Sequence, residues 1–116
     1  MKIVQWLIIL MMGMVLGLTN VHAREFLVVY EGWAPFEYEE NGQSKGIDID
    51  IANVIFTKLG ITPKYQDLPW KRAEKVVQDG KADAVLSTSK KPEREVFLIY
   101  PEEEFWVSEF IFLTNK

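Results

Sequence analysis

The chain contains no cysteine and a single histidine, and both scarcities narrow the chemistry open to it. Without cysteine there is no disulfide, thiol nucleophile, cysteine-ligated metal or lipid anchor on cysteine. Basic residues are also the minority, and the net charge of -4 argues against a nucleic-acid partner because no basic face is offered to phosphates. Charges of both signs and 48% hydrophobic residues instead predict one small globular domain.

The first 23 residues differ from the rest of the chain. Lys2 precedes an almost wholly apolar stretch over residues 3–18, and Ala23 follows with Val21 two positions before it. This order is typical of a secretory signal peptide, and it predicts cleavage after Ala23 and an exported mature chain of residues 24–116. The alternative is an uncleaved membrane anchor, for which the stretch is short because a spanning helix needs about 20 apolar residues.

Cleavage would also remove His22, the only histidine. The mature chain would then hold no serine–histidine triad, no cysteine–histidine pair and no histidine zinc site. The spacing of Asp48 and Asp50 lacks the remaining ligand positions of a calcium loop. We therefore expect no enzyme, no catalytic residues, no metal and no cofactor.

Strands and helices alternate along the predicted mature chain. Apolar runs and helical spacing predict strands at residues 26–30, 62–68 and 82–86, and helices at 49–59 and 70–78. This alternation predicts an α/β fold with an open, mostly parallel sheet and flanking helices.

Local signals refine these elements. Asp48 suits the N-cap of the first helix, and Gly60 suits its end. The apolar face of that helix is predicted to consist of Ile51, Ala52, Ile55, Phe56 and Leu59. The sequence also predicts a hairpin turn at residues 41–42, a short helix beginning at residue 92, and extended stretches at 97–101 and 106–113.

Two loops follow strands of the predicted sheet, at residues 32–36 and 87–94. Open parallel sheets bind ligands beyond the carboxyl ends of their strands, so we expect both loops to share one rim. The first loop offers aromatic faces, and the second offers hydroxyls, backbone amides at a helix start and a guanidinium, which suit a carboxylate or phosphate. The candidate ligand-binding residues are Trp33, Phe36, Trp70, Ser87, Thr88, Ser89 and Arg94.

Each candidate also has a purely structural interpretation. The two aromatics of the first loop are compatible with core positions. Trp70 is in phase with Ala73 and Val77, which favours helix packing over ligand contact. The serines are compatible with capping of the following turn, and Arg94 with pairing to a surface glutamate.

Six short segments together resemble one known family. They are Trp-Ala-Pro-Phe at 33–36, Gly-Ile-Asp-Ile-Asp at 46–50, Leu-Gly at 59–60, Pro-Trp at 69–70, Gly-Lys-Ala-Asp-Ala at 80–84 and Ser-x-Ser-x-x-x-x-Arg at 87–94. In this order and spacing they resemble the N-terminal lobe of the bacterial family 3 solute-binding proteins, the polar amino-acid receptors of ABC transporters.

The resemblance implies a periplasmic substrate-binding protein with a type II periplasmic-binding-protein fold. Residues 24–116 would form its first lobe, truncated before a second lobe, and would capture an amino acid or similar carboxylate for an ABC permease. The aromatic at Trp33 would pack over the ligand side chain. Ser87 and Ser89 would hold the ligand α-carboxylate together with Arg94. Many members have an acidic residue three positions before the aromatic, where this chain has Tyr30.

Two other functions stay open on this fold: a sensory or regulatory ligand-binding domain, and a dehydratase-like enzyme. In the family, the second lobe closes over the ligand and meets its ammonium group. A single lobe would therefore hold half a site, and we expect the chain on its own to fold poorly or bind weakly.

Overall fold

The computed structural model describes residues 25–104, 106–109 and 111–115, besides Met1. The predicted signal peptide and its cleavage site thus lie outside the described residues, apart from Met1. The strands are β1 (Phe26–Tyr30), β2 (Tyr38–Glu40), β3 (Gln43–Lys45), β4 (Pro63–Asp67) and β5 (Ala84–Val85), and the helices are α1 (Ile47–Lys58), α2 (Trp70–Gln78) and α3 (Pro92–Glu95). Within these ranges, none of the helices has the length and apolar character needed to cross a membrane.

β1 is the central strand of a three-stranded sheet in the order β4-β1-β5. Both pairings are parallel, and Val28 lies opposite Tyr65 on one side and Ala84 on the other. The predicted parallel α/β fold is therefore confirmed. Because all three strands run the same way, their carboxyl ends meet at one edge of the sheet.

Apolar clusters cover both faces of β1, since successive strand residues point to opposite faces. One cluster lies under α1 and the other under α2. The α1 cluster consists of Val28, Tyr30, Ile49, Ala52 and Leu86, and the α2 cluster consists of Val29, Leu68, Ala73 and Ala82. This two-sided burial explains why the sequence of β1 is a continuous apolar run.

The structure corrects several details of α1. The helix begins at Ile47 after Gly46, so Asp48 lies in the first turn and is buried instead of serving as the N-cap. The apolar face is also narrower than predicted, because Ile55 and Leu59 are 38% and 64% exposed. A three-stranded sheet covers little of the helix, so only its inner edge finds apolar partners.

The later strands are shorter than predicted. β5 contains only Ala84 and Val85, and in the described parts of residues 97–101 and 106–113 no strand forms. A segment forms a strand only when a neighbouring strand accepts its hydrogen bonds, and no such pairing is present for the described parts of these two segments. The short helix predicted from residue 92 is confirmed as α3.

The β2–β3 hairpin is joined firmly to the start of α1. At its tip, Asn41 and Gly42 both have positive φ angles, as a tight two-residue turn requires. At its base, the Asp48 amide donates to the Phe36 carbonyl at 2.9 Å. Gly46 has a φ of 125°, and a Cβ there would lie 2.1 Å from the same carbonyl oxygen, so only glycine fits this joint.

Candidate functional site

A cleft of about 290 Å³ opens at the carboxyl-terminal edge of the sheet. Its walls come from the loop after β1, the first residue of α2 and the loop after β5. The lining residues are Glu31, Gly32, Trp33, Glu37, Trp70, Leu86 and Ser87. The two loops predicted to share a rim do so, and the cleft brings together three of the predicted site residues: Trp33, Trp70 and Ser87.

The two aromatics of the first loop have different positions. Trp33 is 59% exposed and lines the cleft, so most of its indole is accessible to a ligand. Phe36 is half-buried and lies between Trp33 and Trp106, with ring centroids at 5.1 and 5.7 Å. Phe36 is not among the cleft residues and belongs to neither core cluster; its ring contacts Trp33 and Trp106.

The first loop is anchored by two acidic side chains. The Gly32 amide donates to Oδ1 of Asp67 at 3.0 Å, which fixes the loop to the end of β4. Oε1 of Glu31 accepts the backbone N–H of Trp70 at 2.9 Å, at the N-terminus of α2. A carboxylate there satisfies a free amide and meets the positive end of the helix dipole.

The second loop turns sharply at Ser87, whose φ of 51° lies in the left-handed region. Non-glycine residues with this backbone conformation are uncommon and are concentrated at functional sites. The Ser87 hydroxyl donates to Oδ2 of Asp48 at 2.8 Å. The hydroxyl oxygen of Thr88 is buried and has no hydrogen-bond partner among the residues described.

Arg94 is engaged by other groups of the protein. Its Nε donates to Oε1 of Glu74 at 2.9 Å, and its Nη1 donates to the hydroxyl and carbonyl oxygens of Ser89 at 3.0 and 3.1 Å. The guanidinium also lies 4.8 Å from the ring centroid of Trp70. The glutamate pairing proposed as the structural interpretation is present, and Arg94 and Ser89 lie beside the cleft without lining it.

Two buried carboxylates, those of Glu37 and Asp48, complete the site, and each residue is only 2% exposed. Asp48 accepts hydrogen bonds from Ser87 and from Nε1 of Trp106, the latter at 2.6 Å. Burial raises the pKa of Glu37 to about 7; a hydrogen bond with Ser87 opposes the rise and Asp48 adds to it. Oε2 of Glu37 has no hydrogen-bond partner in the described structure.

Neither carboxylate is evident from the sequence as part of a ligand site. Glu37 lies between two aromatic residues, a pattern equally typical of a strand with one solvated face. The bridge between Trp33 and Glu37 turns the chain so that this side chain points inward. Asp48 carried an N-cap signal, which indicated its position at the helix start but not its contacts with Ser87 and Trp106.

The model of the bacterial extracellular solute-binding proteins, family 3, matches residues 27–111 of the chain. This range includes both loops and every residue of the cleft. Comparison with curated protein sequences finds no match.

Solved structures resemble the same region. A polar amino acid ABC uptake transporter substrate-binding protein from Streptococcus thermophilus is 28% identical, with a TM-score of 0.61 over 67% of this chain and 31% of its own. An ancestral arginine-binding protein bound to arginine is 30% identical, with a TM-score of 0.57 over 63% of this chain and 34% of its own. The second substrate-binding domain of Lactococcus lactis GlnP, in its open conformation, is 30% identical, with a TM-score of 0.55 over 61% of this chain and 32% of its own. The matching region thus spans about a third of the length of these structures.

Proposed function

Because the chain belongs to family 3 of the bacterial extracellular solute-binding proteins, we propose that it captures an amino acid, or a similar small carboxylate, as the first lobe of a periplasmic receptor for an ABC transporter. One observation carries the proposal. The cleft lies at the edge of the sheet where open α/β folds bind ligands, within the region that matches the family. Structures at least 28% identical over this region are named as amino-acid receptors.

The side chains at the cleft support distinct roles in binding. The exposed indole of Trp33 packs over the side chain of the ligand. Ser87 lines the cleft, where its hydroxyl and the amides that follow it hold the ligand carboxylate. Arg94 joins them by exchanging its hydrogen bonds to Ser89 for the carboxylate, since a planar guanidinium binds a carboxylate through two parallel bonds.

Calorimetric titration of the purified chain with a panel of amino acids tests this function. We expect saturable heat with at least one member of the panel. Trp33→Ala should weaken that binding about tenfold or more, and Trp33→Phe much less, because the contact depends on aromatic surface. Glu39→Gln, an exposed substitution on β2, is the matched control. A folded chain that gives no heat with any amino acid would contradict the proposal.

The chain acts in this proposal as a receptor and leaves its ligand unchanged. The carboxylates of Glu31 and Asp48 accept hydrogen bonds from the protein, and that of Glu37 is buried. We assign these groups to ligand binding and to the support of the loops. Nuclear magnetic resonance of the bound amino acid after prolonged incubation should show the same compound. Appearance of a dehydrated product would instead support the enzyme alternative on this fold.

We propose further that the chain is exported and cleaved after Ala23, because a positive start, an apolar stretch and a small residue precede the matched region. Mass spectrometry of the periplasmic protein should then find Arg24 at its N-terminus. Recovery of intact protein beginning at Met1 in the membrane fraction would contradict cleavage.

A further inference from the structure

We propose that the ligand of the cleft carries a cationic side chain, an ammonium or guanidinium, which the carboxylates of Glu31 and Glu37 bind. This inference rests on the proposed function and names the class of substrate. It assigns both glutamates a role in ligand specificity.

The charges around the cleft are of one sign. Two of its lining residues, Glu31 and Glu37, are acidic, and none is basic. A cleft lined by charges of one sign, with apolar walls, concentrates the field and attracts ions of the opposite sign. A neutral or acidic side chain would gain nothing from this field.

Arg94, which lies beside the cleft, does not cancel that charge. Arg94 already pairs with Glu74 at 2.9 Å, and its side chain is only 11% exposed. Its remaining contacts are to Ser89 and to the ring of Trp70. The positive charge of Arg94 is therefore matched by Glu74, a carboxylate outside the cleft, and no basic side chain is among the residues that line the cleft beside Glu31 and Glu37.

Glu37 offers a hydrogen-bond acceptor that nothing in the described structure uses. Its side chain is almost fully buried and lines the cleft, yet its Oε2 has no partner. A buried acceptor without a donor is unfavourable, and a donating ammonium or guanidinium would supply the missing hydrogen bond. Glu31 uses only Oε1, on the Trp70 amide.

Protonation strengthens the preference for a cation. The groups that face Glu37 are Asp48 of α1, Ser87 of the loop after β5 and Tyr30 of β1, and none is a cation. Burial raises the pKa of Glu37 to about 7, and the neighbouring Asp48 adds to the rise. A bound cation favours the ionised carboxylate, so its binding at neutral pH should release a proton.

The indole rings add a second attraction for the same class of ligand. Trp33 presents an exposed ring, and the Trp70 ring already has a guanidinium 4.8 Å from its centroid. Cations are attracted to the faces of aromatic rings, most strongly to tryptophan. Trp33 thus offers a free aromatic face at the cleft wall.

The decisive test compares L-arginine with L-citrulline, which has nearly the same shape but a neutral urea in place of the guanidinium. Both carry the same α-ammonium and α-carboxylate, so only the side-chain charge differs. In calorimetric titrations of the full chain, we expect L-arginine or L-lysine to bind at least tenfold more tightly than L-citrulline, a ratio equivalent to about 1.4 kcal/mol. Glu37→Gln and Glu31→Gln should each reduce this ratio, and Glu39→Gln should preserve it.

A second measurement needs no variant. Titrating L-arginine at pH 7 in buffers of different ionisation enthalpy should reveal proton release on binding, because the raised pKa leaves part of Glu37 protonated there beforehand. Equal affinity for arginine and citrulline, or binding of only neutral or acidic amino acids, would overturn the cationic assignment and leave the proposed function intact. Failure of every amino acid to bind would remove the proposed function, and this inference with it.

Discussion

Glu37 and Asp48 are neighbouring buried carboxylates with different hydrogen-bond partners. Asp48 accepts one hydrogen bond from Ser87 and one from Trp106, so a single carboxylate joins the first turn of α1 to two later segments. Glu37 beside it has a free oxygen and a raised pKa. One carboxylate therefore holds the loops together, while the other remains available to a ligand.

The raised pKa of Glu37 predicts a pH dependence of stability. The folded-state pKa of about 7 exceeds the ordinary value of 4.5, so the folded chain binds the proton more tightly than the unfolded chain. The associated stability is fully present below pH 4.5 and is lost as the pH rises through 7. In urea unfolding, the free energy of unfolding of the wild type should fall by about 2–3 kcal/mol relative to Glu37→Gln between pH 5 and pH 8.

The control for this titration is Glu39→Gln, because Glu39 is exposed on the same segment of chain. Its unfolding free energy should follow the wild-type pH profile. A constant difference between wild type and Glu37→Gln across this pH range would show that Glu37 does not titrate as inferred.

Removing the Asp48 carboxylate should lower the free energy of unfolding far more than removing the Asp50 carboxylate on the same turn. Asp48→Ala leaves the Trp106 indole N–H and the Ser87 hydroxyl without their acceptor, and we expect a loss of about 2–4 kcal/mol in the free energy of unfolding. Asp50→Ala, at an exposed position of the same turn, should cost less than about 1 kcal/mol. Urea titrations followed by tryptophan fluorescence measure both, and equal losses would contradict the role of Asp48.

At the scale of elements, the backbone hydrogen bonds between the base of the hairpin and the first turn of α1 fix the position of the hairpin relative to the helix. The hairpin begins and ends at backbone atoms that bond to the first turn of α1, and Gly46 has no room for a side chain. Because Glu37 follows Phe36 directly and Asp48 lies in that first turn, this joint also positions the buried carboxylates.

Two glycines of this segment provide a matched comparison. Gly46→Ala would place a Cβ 2.1 Å from the Phe36 carbonyl oxygen, a backbone atom that cannot move aside without displacing the hairpin. Gly42 also has a positive φ, but a Cβ there meets nothing within 4 Å. Thermal unfolding should show Gly42→Ala losing about 1 kcal/mol through backbone strain alone, and Gly46→Ala losing at least twice as much. Similar losses for the two would show that the hairpin adjusts.

The elements were predictable from the sequence to differing degrees. Helical spacing from Trp70 and the stop at Gly80 gave α2 its correct limits, because its signals are local. The short length of β5 was not predictable, since strand length depends on partners that are distant in the sequence. The same holds for the site: Trp33 and Ser87 could be assigned to one rim from chain order, whereas the burial of Glu37 depends on how the loop turns back on β1.

At the scale of the whole molecule, β1 contributes fully buried residues to both apolar clusters. Its residues alternate between them, with Val28 packed under α1 and Val29 under α2. Each cluster is small, so each buried methyl group of β1 contributes a substantial part of the total stability.

The same substitution at two sites tests this distribution. Val29→Ala removes buried methyl groups between β1 and α2, where Val29 is 0% exposed, and should lower the free energy of unfolding by about 2–3 kcal/mol. Val54→Ala, at a position of α1 that is 57% exposed, should change it by less than about 0.5 kcal/mol. Urea unfolding of both variants provides the measurement, and a small loss for Val29→Ala would show that the core is loosely packed.

The central position of β1 has a consequence for the order of folding during synthesis. β1 is the first strand along the described chain, yet its partners are β4 and β5, so Val29 meets Gln66 and Val85 only after those residues have emerged. Pairings between residues so far apart form slowly, because a long loop must close before any hydrogen bond is gained. Until residue 85 is available, the apolar face of β1 has no complete partner. The sheet is therefore completed only once β5 and the second loop of the cleft have been synthesised.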